Sequence, residues 1–349
     1  MKITKLEAVY PKYNYLPPSW RTKLWQIVVR VETDLGVIGL GCGGGGKSAV
    51  EIVNGHFREL VEGNTIDSTN DIGKLWEMLY KASIPYGRKG IAIMALSGVD
   101  LALWDLLGRA QSTPVYELLG GLQKERVRAY ATGQQSEWYR DLGYTAHKLH
   151  HRWTGADSDY RVALESTTRA RRLFGDEALI MVDSYMTWDE SVTTEMANLL
   201  SDLDIYWFED VLTPDDTDEL ASIRLRIKPI RLAGGEHEFT HHGFTDIAMC
   251  GAYDIWQPDI TWCGGITAGL RILDIARAHG IQVVPHRGGE VWGFHIVAST
   301  DCENLGEVLP GNRRRPRDLL WRGEPEVSDG YLTPSADPGF GVSLNESLL

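Results

Sequence analysis

Six residues with carboxylate or imidazole side chains recur at nearly even spacing in the C-terminal part of this 349-residue sequence. They are Asp183, Glu209, Glu236, Asp259, His286 and Glu307, separated by 21 to 27 residues. Each ends or closely follows a short apolar segment typical of a buried strand, such as residues 281–284 before His286. One such residue alone would be interpreted as a helix N-cap or a surface charge. Six in register favour a shared site, because the carboxyl ends of parallel strands meet at one end of a sheet.

Three of the six are carboxylates on successive predicted strands, namely Asp183, Glu209 and Glu236. Placed together without a counterion, they would repel one another and take up protons. A hard divalent cation relieves this repulsion, and three oxygen ligands suit Mg²⁺. Histidine and cysteine are absent from these three positions, which disfavours zinc. His237, next to Glu236, is expected to contact the substrate or to support a ligand.

Asp259 and His286 fall at neighbouring strand ends. A carboxylate bonded to an imidazole fixes its tautomer and raises its basicity, which predicts an oriented general base. Glu307 is open to two interpretations, a protonated carboxyl that binds a substrate oxygen or an ordinary carboxylate at the rim. A metal facing a histidine base suits removal of a proton next to a carboxylate. The resulting enediolate either regains a proton, which is epimerisation, or expels a β-substituent, which is elimination.

The elements that would position these residues are short β-rich segments separated by helix-length intervals. The segments are VRAYAT, AHKLH, LIMVDS, IYWFED, IRLAGGE, YDIWQPD, IQVVPH and NLGEVL. Eight strands alternating with helices predict an α/β fold with a parallel barrel, and an open doubly wound sheet is the alternative. The first third differs, with two strands around a turn at residues 34–36, a glycine-rich stretch at 41–46 and a helix within 91–111. We interpret this part as α+β and the glycine-rich stretch as a flexible flap.

Composition limits the range of partners. The formal net charge of −13 and the pI of about 5.3 argue against binding to nucleic acid or to an anionic membrane surface. No stretch is interpreted as a signal peptide or a membrane span. The four cysteines are scattered without metal-ligand spacing, which predicts reduced thiols in a cytoplasmic protein. The expected partner is a small molecule.

Longer segments resemble the enolase superfamily, in particular its mandelate racemase subgroup, and look most like L-rhamnonate dehydratases. The segments are YGRKGIAIMALSGVDLALWDLLGRAQSTPVYELLGG, GEHEFTHHGF, QPDITWCGGIT and PGFGVSLN. The resemblance implies a modified TIM barrel, (β/α)7β, over residues 123–321. An N-terminal α+β capping domain over residues 1–122 and a tail over 322–349 that returns to it would complete the fold. The activity implied is that of a hydro-lyase that converts an acid sugar to a 2-keto-3-deoxy acid. The family commonly forms symmetric assemblies, so a homo-oligomer is expected.

The resemblance also implies a role for each site residue. Asp183, Glu209 and Glu236 would bind Mg²⁺. His286 would be the acid/base, Asp259 would raise its basicity and Glu307 would stabilise the developing charge. Epimerisation or racemisation of an acid sugar or hydroxy acid, by 1,1-proton transfer, is the alternative reaction. A non-catalytic metal-dependent binding protein is the alternative class.

The sequence departs from the dehydratase pattern in two places. It begins close to its first strand, without the longer N-terminal segment that helps those dehydratases to recognise rhamnonate. Arg21 or Lys23 is expected to supply a substrate-binding cation instead, with ordinary surface charge as the alternative. Second, His150 stands where those dehydratases carry proline. Since other members of the subgroup have a lysine base there, His150 or Lys148 is a candidate second acid/base opposite His286.

Overall fold

The computed structural model describes residues 1–13, 19–312, 315–316 and 320–349. Its N-terminal part contains an antiparallel sheet of three strands in the order β1-β2-β3, with the predicted turn between β2 and β3. The strands are β1 (Ile3–Val9), β2 (Ile27–Thr33) and β3 (Ile38–Gly43). The helices are α1 (Arg21–Leu24), α2 (Gly46–Ile52), α3 (Arg58–Val61), α4 (Thr69–Ser83), α5 (Ile91–Ala110) and α6 (Val115–Leu118), with a π-helical turn Val53–Phe57 between α2 and α3.

The glycine-rich stretch is packed against α5 and is not a loose flap. A Cβ atom on Gly39, Gly41 or Gly43 would lie 2.2 to 2.4 Å from a backbone carbonyl oxygen of α5. Alternate glycines on one face of β3 therefore let the strand and the helix approach more closely than any side chain would permit. The flap interpretation was wrong because the constraint comes from a helix about 60 residues further along the chain.

Helix α5 is buried almost all round, with the side chains of 16 of its 20 residues inside the protein. By length and composition it could cross a membrane, at a mean hydropathy of 1.7, but 89% of it is buried in the fold. It packs on β2 and β3 on one side and on α4 and α12 (Gly265–His279) on the other. An apolar helix in this position is a central core helix.

The rest of the chain forms the predicted barrel. Eight parallel strands alternate with seven helices, and the strand order along the sheet is β10-β9-β8-β7-β6-β5-β4-β11. The strands are β4 (Val127–Thr132), β5 (Ala146–His150), β6 (Leu179–Asp183), β7 (Ile205–Glu209), β8 (Arg231–Gly234), β9 (Ile255–Trp256), β10 (Gln282–Val283) and β11 (Leu305–Val308). The helices are α7 (Ser136–Asp141), α8 (Ser158–Phe174), α9 (Glu190–Leu199), α10 (Thr217–Arg226), α11 (Thr240–Cys250), α12 and α13 (Val291–Ser299), with a 3₁₀ turn Ser201–Leu203 before β7.

The sheet closes between β10 and β11 without a regular ladder. The backbone N–H of Glu303 donates to the Val283 carbonyl at 3.0 Å, and that of Gly289 donates to the Glu307 carbonyl at 2.8 Å. The (β/α)7β barrel is thereby confirmed, and the doubly wound alternative is excluded. One apolar side chain from each strand or its end fills the interior. These side chains are Tyr130, Ala146, Met181, Trp207, Ala233, Ile255, Val284 and Leu305.

The C-terminal tail runs back over the N-terminal part. After β11 the chain forms the short strands β12 (Gly311–Asn312), β13 (Arg315–Pro316), β14 (Trp321–Arg322), β15 (Tyr331–Leu332) and β16 (Ser343–Leu344), followed by a 3₁₀ turn Glu346–Leu348. The tail predicted over residues 322–349 begins within β14. Buried Asp105 of α5 accepts from the N–H of Phe340 in the tail at 2.9 Å and from that of Leu40 in β3 at 2.8 Å. One carboxylate thus joins the tail, the core helix and the first sheet.

Candidate active site

Two of the three predicted metal ligands are neighbours across the barrel sheet. Asp183 ends β6 and pairs in register with Glu209, which ends β7. Glu236 lies two residues beyond the end of β8, the next strand. The three residues are 5%, 1% and 8% exposed. Three carboxylates from distant parts of the chain therefore lie at the same end of adjacent strands. Among the described residues, the group whose donor atoms all lie within 4.8 Å of one another contains Glu236 but not Asp183 or Glu209.

Glu209 is held by three donors. The Lys148 ammonium bonds to its Oε1, while Trp207 Nε1 at 2.9 Å and Gln257 Nε2 at 2.7 Å both donate to Oε2. Burial raises the pKa of Glu209, although Lys148 works in the opposite direction. These bonds fix the plane of a carboxylate that would otherwise rotate.

Lys148 is almost fully buried between two carboxylates. Its ammonium bonds to Glu209 and lies 2.8 Å from Glu307 Oε1. Burial opposes its charge, but Glu209 and Glu307 together raise the pKa of Lys148 well above its usual value. A lysine held in this way stays protonated, so this geometry favours a fixed cation over the second base that the sequence left open.

Glu307 accepts hydrogen bonds at both oxygens. Besides Lys148, the hydroxyl of Thr132 donates to Oε1, and the backbone N–H of Arg287 donates to Oε2 at 2.8 Å. Burial raises the pKa of Glu307, but the positive charges on Lys148 and His286 outweigh this and lower it below its usual range. The surroundings therefore favour an ionised Glu307 over the protonated donor considered from the sequence.

His286 forms the expected pair with Asp259. Its Nδ1 lies 2.8 Å from Asp259 Oδ2, and Asp259 Oδ1 accepts from the backbone N–H and the hydroxyl of Thr261 at 2.7 and 2.6 Å. The other ring nitrogen, Nε2, faces the site, 3.4 Å from Glu236 and 3.9 Å from Glu307. Burial works against the charged imidazole, but Glu236, Glu307 and Asp259 raise the pKa of His286 to about 10, so the ring is protonated until a cation neutralises this carboxylate cluster. Nε2 is therefore the atom able to exchange a proton with a substrate.

His150 lies on the opposite side of the metal-ligand candidates. It ends β5, in register with Asp183, and its Nδ1 is 3.0 Å from Asp183 Oδ2. The ring makes an edge contact with Tyr185, with centroids 5.3 Å apart. The barrel thus presents an imidazole on each side of the carboxylate cluster.

His237 lies beside the carboxylates and is one third exposed. Its Nε2 is 3.4 Å from Glu236 Oε1 and 3.8 Å from Asp210 Oδ2, and its ring stacks on Trp262. Donor atoms of Asp210, Glu236 and His237 all lie within 4.8 Å of one another, a spacing compatible with a shared metal ion. His237 is therefore closer to a ligand position than its sequence context alone indicated.

The two predicted substrate cations differ. Arg21 Nη2 lies 3.5 Å from the hydroxyl of Tyr185, two residues after Asp183, so this arginine reaches the mouth of the barrel. Lys23, in contrast, is exposed. Residues 14–18 of the neighbouring loop lie outside the described part of the chain.

The chemistry of the donor set fits Mg²⁺. Asp183, Glu209 and Glu236, at or just beyond the ends of β6, β7 and β8, offer hard oxygen atoms, whereas His237 would offer a nitrogen atom. Burial, with added repulsion from the neighbouring carboxylates, raises the pKa of Glu236 to about 7 and that of Asp210 well above its usual value. A group of buried carboxylates that repel one another is the environment that a divalent cation stabilises.

Several site residues were not found from the sequence. They are Thr132, Tyr185, Trp207, Asp210, Gln257, Thr261, Trp262 and Arg287. A weak signal existed for Gln257, a polar side chain at the end of a buried strand two residues before Asp259. Thr132 and Arg287 lack a local signal because they bond to Glu307, which lies far away in the sequence. Trp207 and Thr261 bond to Glu209 and Asp259, only two residues away, but nothing in the local pattern singled them out.

The fold and the site define a barrel protein with an enolase-like arrangement of strand-end carboxylates. Residues 131–348 match the family model of enolase C-terminal domain-like proteins, and residues 20–120 match the N-terminal domain of mandelate racemase / muconate lactonizing enzyme. The chain belongs to this family of the enolase superfamily.

Relatives in the family include the L-rhamnonate dehydratase of Saccharopolyspora erythraea, 34% identical over 97% of this chain and 88% of that protein. The crystal structure of rhamnonate dehydratase from Gibberella zeae complexed with Mg has a TM-score of 0.90, with 30% identity over 99% of this chain and 95% of that one. The 3,6-anhydro-D-galactonate cycloisomerase of Zobellia galactanivorans has a TM-score of 0.85, with 26% identity over 99% and 98%.

Proposed function

We propose that this protein is a Mg²⁺-dependent hydro-lyase that dehydrates an acid sugar to a 2-keto-3-deoxy acid. The observation that carries the proposal is the His286–Asp259 pair, whose Nε2 lies 3.4 Å from Glu236, one of three buried carboxylates at the ends of adjacent strands. The L-rhamnonate dehydratases among its relatives support an L-rhamnonate-like substrate.

His286 is the proposed acid/base. Its Nδ1–H is engaged by Asp259, so Nε2 accepts the C2 proton of the substrate. The electron pair left at C2 moves toward the carboxylate, and the C3–O bond then breaks. The departing hydroxide takes a proton from His286 or from His150 and leaves as water. The enol that remains becomes the 2-keto-3-deoxy acid.

Asp183, Glu209 and Glu236 are the proposed metal ligands, and His237 and Asp210 lie beside them. When bound, Mg²⁺ would stabilise the negative charge that develops on the substrate carboxylate, a contribution of several kcal/mol. Lys148, fixed between Glu209 and Glu307, adds a second positive charge at the same rim. Glu307 acts through Lys148, and Arg21 binds the far end of the substrate.

Epimerisation is the second candidate, and His150 is the observation that favours it. An imidazole beside Asp183 and another at the end of β10 could remove a proton from one face of C2 and return it to the other. Both reactions begin with loss of the same C2 proton. They differ only in whether the C3 hydroxyl leaves.

The test is to incubate the protein and Mg²⁺ with a set of aldonates and to detect 2-keto acids with semicarbazide. The variant His286→Asn should lose about 10²- to 10⁴-fold in kcat, and His279→Asn, a substitution of an exposed histidine on α12, should lose nothing. Absence of keto acid with every aldonate would overturn the dehydratase proposal. Deuterium at C2 of recovered substrate in D₂O, without keto acid, would select epimerisation.

We also propose the division of the chain into a capping domain over residues 1–122, a barrel over 123–321 and a tail over 322–349. The two family models, which meet between residues 120 and 131, support the first boundary. We propose a cytoplasmic homo-oligomer, in keeping with the free thiols and with the assemblies common in the family. Sedimentation analysis would test the oligomeric state.

A further inference from the structure

Arg287 follows His286 directly, yet its guanidinium group bonds to Glu290 and Gln26 and not to the metal-ligand candidates. Its φ of +55° lies in the left-handed region, which is costly for a residue with a Cβ atom. The side chain is only 17% exposed. A buried arginine in a strained backbone conformation must be held there by its contacts.

The contacts within the barrel join three elements. The backbone N–H of Arg287 donates to Glu307, and its Nε donates to Glu290 Oε2 at 2.7 Å. The other oxygen of Glu290 accepts from the N–H of Leu309 at 3.2 Å. Glu290 immediately precedes α13, and Leu309 follows β11. Arg287 is therefore fixed relative to both His286 and Glu307.

The guanidinium also bonds across to the N-terminal part of the chain. The side-chain oxygen of Gln26, in the amide orientation that its neighbours require, accepts from both Nη atoms, with Nη2 at 3.1 Å. Gln26 is itself 7% exposed, and its carbonyl accepts from the hydroxyl of Tyr13 at 2.9 Å. The ring of Trp25 lies 5.9 Å from the guanidinium.

The segment that contains Gln26 also contains Arg21, the predicted substrate-binding cation. Trp25 packs on the guanidinium of Arg21 at 4.6 Å, and Arg21 in turn approaches Tyr185 at the barrel rim. We define residues 20–26 as the recognition segment. Among the described residues, its only side-chain hydrogen bond to the loop after β10 is the one between Gln26 and Arg287.

We propose that Arg287 is a positioning residue that sets the distance between the recognition segment and His286, and thereby the selectivity for acid sugars with a polar far end. The inference rests on the proposed function and deepens it. A substrate held at C2 by the barrel and at its far end by Arg21 makes both contacts only if the distance between Arg21 and His286 matches the length of the substrate. A shorter acid, which lacks the far end, does not depend on this distance.

Kinetics with two lengths of substrate test the proposal. For Gln26→Leu we expect the KM of a six-carbon aldonate to rise about tenfold, equivalent to about 1.4 kcal/mol, while that of a four-carbon aldonate changes less than about twofold. Arg287→Lys, which lacks the planar guanidinium group, should behave like Gln26→Leu. Gln26→Glu keeps an oxygen acceptor for Arg287 and should keep the wild-type KM. Lys89→Met is the matched control, because Lys89 joins the N-terminal part to Glu238 at a different place.

Amide hydrogen exchange gives a readout that does not depend on turnover. Exchange in residues 20–26 should accelerate about tenfold in Gln26→Leu and in Arg287→Lys, and remain unchanged in Lys89→Met. An equal KM increase for both acids, or unchanged exchange in the segment, would overturn the inference. If the wild type converts neither acid, the proposed function fails, and exchange alone decides whether Arg287 positions the segment.

Discussion

Replacing Asp259 by asparagine tests the orientation of His286 without changing the shape of the site. In the wild type, Asp259 Oδ1 accepts two bonds from Thr261, and Oδ2 faces His286 Nδ1 at 2.8 Å. In Asp259→Asn, the amide oxygen must stay toward the two donors of Thr261. The NH₂ group must then face Nδ1, which can only accept from it. The proton moves to Nε2, and the base is blocked.

The magnitude follows from two contributions. Loss of a charge-assisted hydrogen bond costs about 1.5–3 kcal/mol, which is about 10- to 100-fold in rate. The wrong tautomer adds to this, and the same exchange in a Ser–His–Asp triad costs about 10⁴. We therefore expect kcat of Asp259→Asn to fall between about 10²- and 10⁴-fold, with KM changed little because the substrate contacts remain.

The semicarbazide assay under saturating Mg²⁺ measures this change. Asp274→Asn is the matched control, since the Asp274 side chain is 73% exposed on α12 and is remote from the site. Circular dichroism should show the same fold for both variants. A kcat for Asp259→Asn within about threefold of the wild type would refute the assignment of Nε2 as the reacting atom.

Three further predictions concern stability. Mg²⁺ at 100 times its Kd should stabilise the wild type by about 2.7 kcal/mol in thermal unfolding, and Asp183→Asn should lose this shift; equal shifts would argue against Asp183 as a ligand. Gly41→Ala should lower the free energy of unfolding by about 1–3 kcal/mol, because its Cβ would lie 2.2 Å from the Gly98 carbonyl oxygen. Gly73→Ala, on α4 with open space around it, should raise the free energy of unfolding by about 0.5–1 kcal/mol. Calorimetry distinguishes the two outcomes. Burial lowers the pKa of His295 to about 4. As the pH falls below about 6.5, His295 becomes protonated in the unfolded chain but stays neutral in the folded chain, which destabilises the fold. The wild type should therefore lose up to about 2 kcal/mol more than His295→Asn between pH 6.5 and 5 in urea unfolding, and equal losses would contradict the shift.

The barrel could be predicted because each of its strands and helices has a sequence pattern of its own. Each strand from β4 to β11 is a short apolar run, and each intervening helix has its own period, so the alternation was visible without knowledge of the partners. The bounds of strand β1 were not predicted, for a physical reason. Its register shifts between Ile3 and Lys5, which breaks the two-residue alternation that identifies a half-buried strand.

Site residues at strand ends were predictable, whereas the contacts among them were not. Repetition of one titratable group per unit located Asp183 and His286, because the repeat itself fixes which end of each strand they occupy. The role of Lys148 depends on Glu209, which lies 61 residues away, and on Glu307. A single sequence holds the identities of such partners but not their proximity.

The buried charge on Lys148 narrows the choice of a second acid/base. A lysine acts as a base only after losing its proton, and two carboxylates stabilise the protonated form here. Loss of that proton would leave the buried Glu307 without its ion-pair partner, whereas Glu209 would still have the proposed Mg²⁺ beside it. His150 is 27% exposed at the rim, and its Nδ1 lies 3.0 Å from Asp183 Oδ2. We therefore favour His150 over Lys148 as the proposed second acid/base. In epimerisation His150 would return a proton to C2, and in dehydration His150 or His286 would protonate the departing hydroxide.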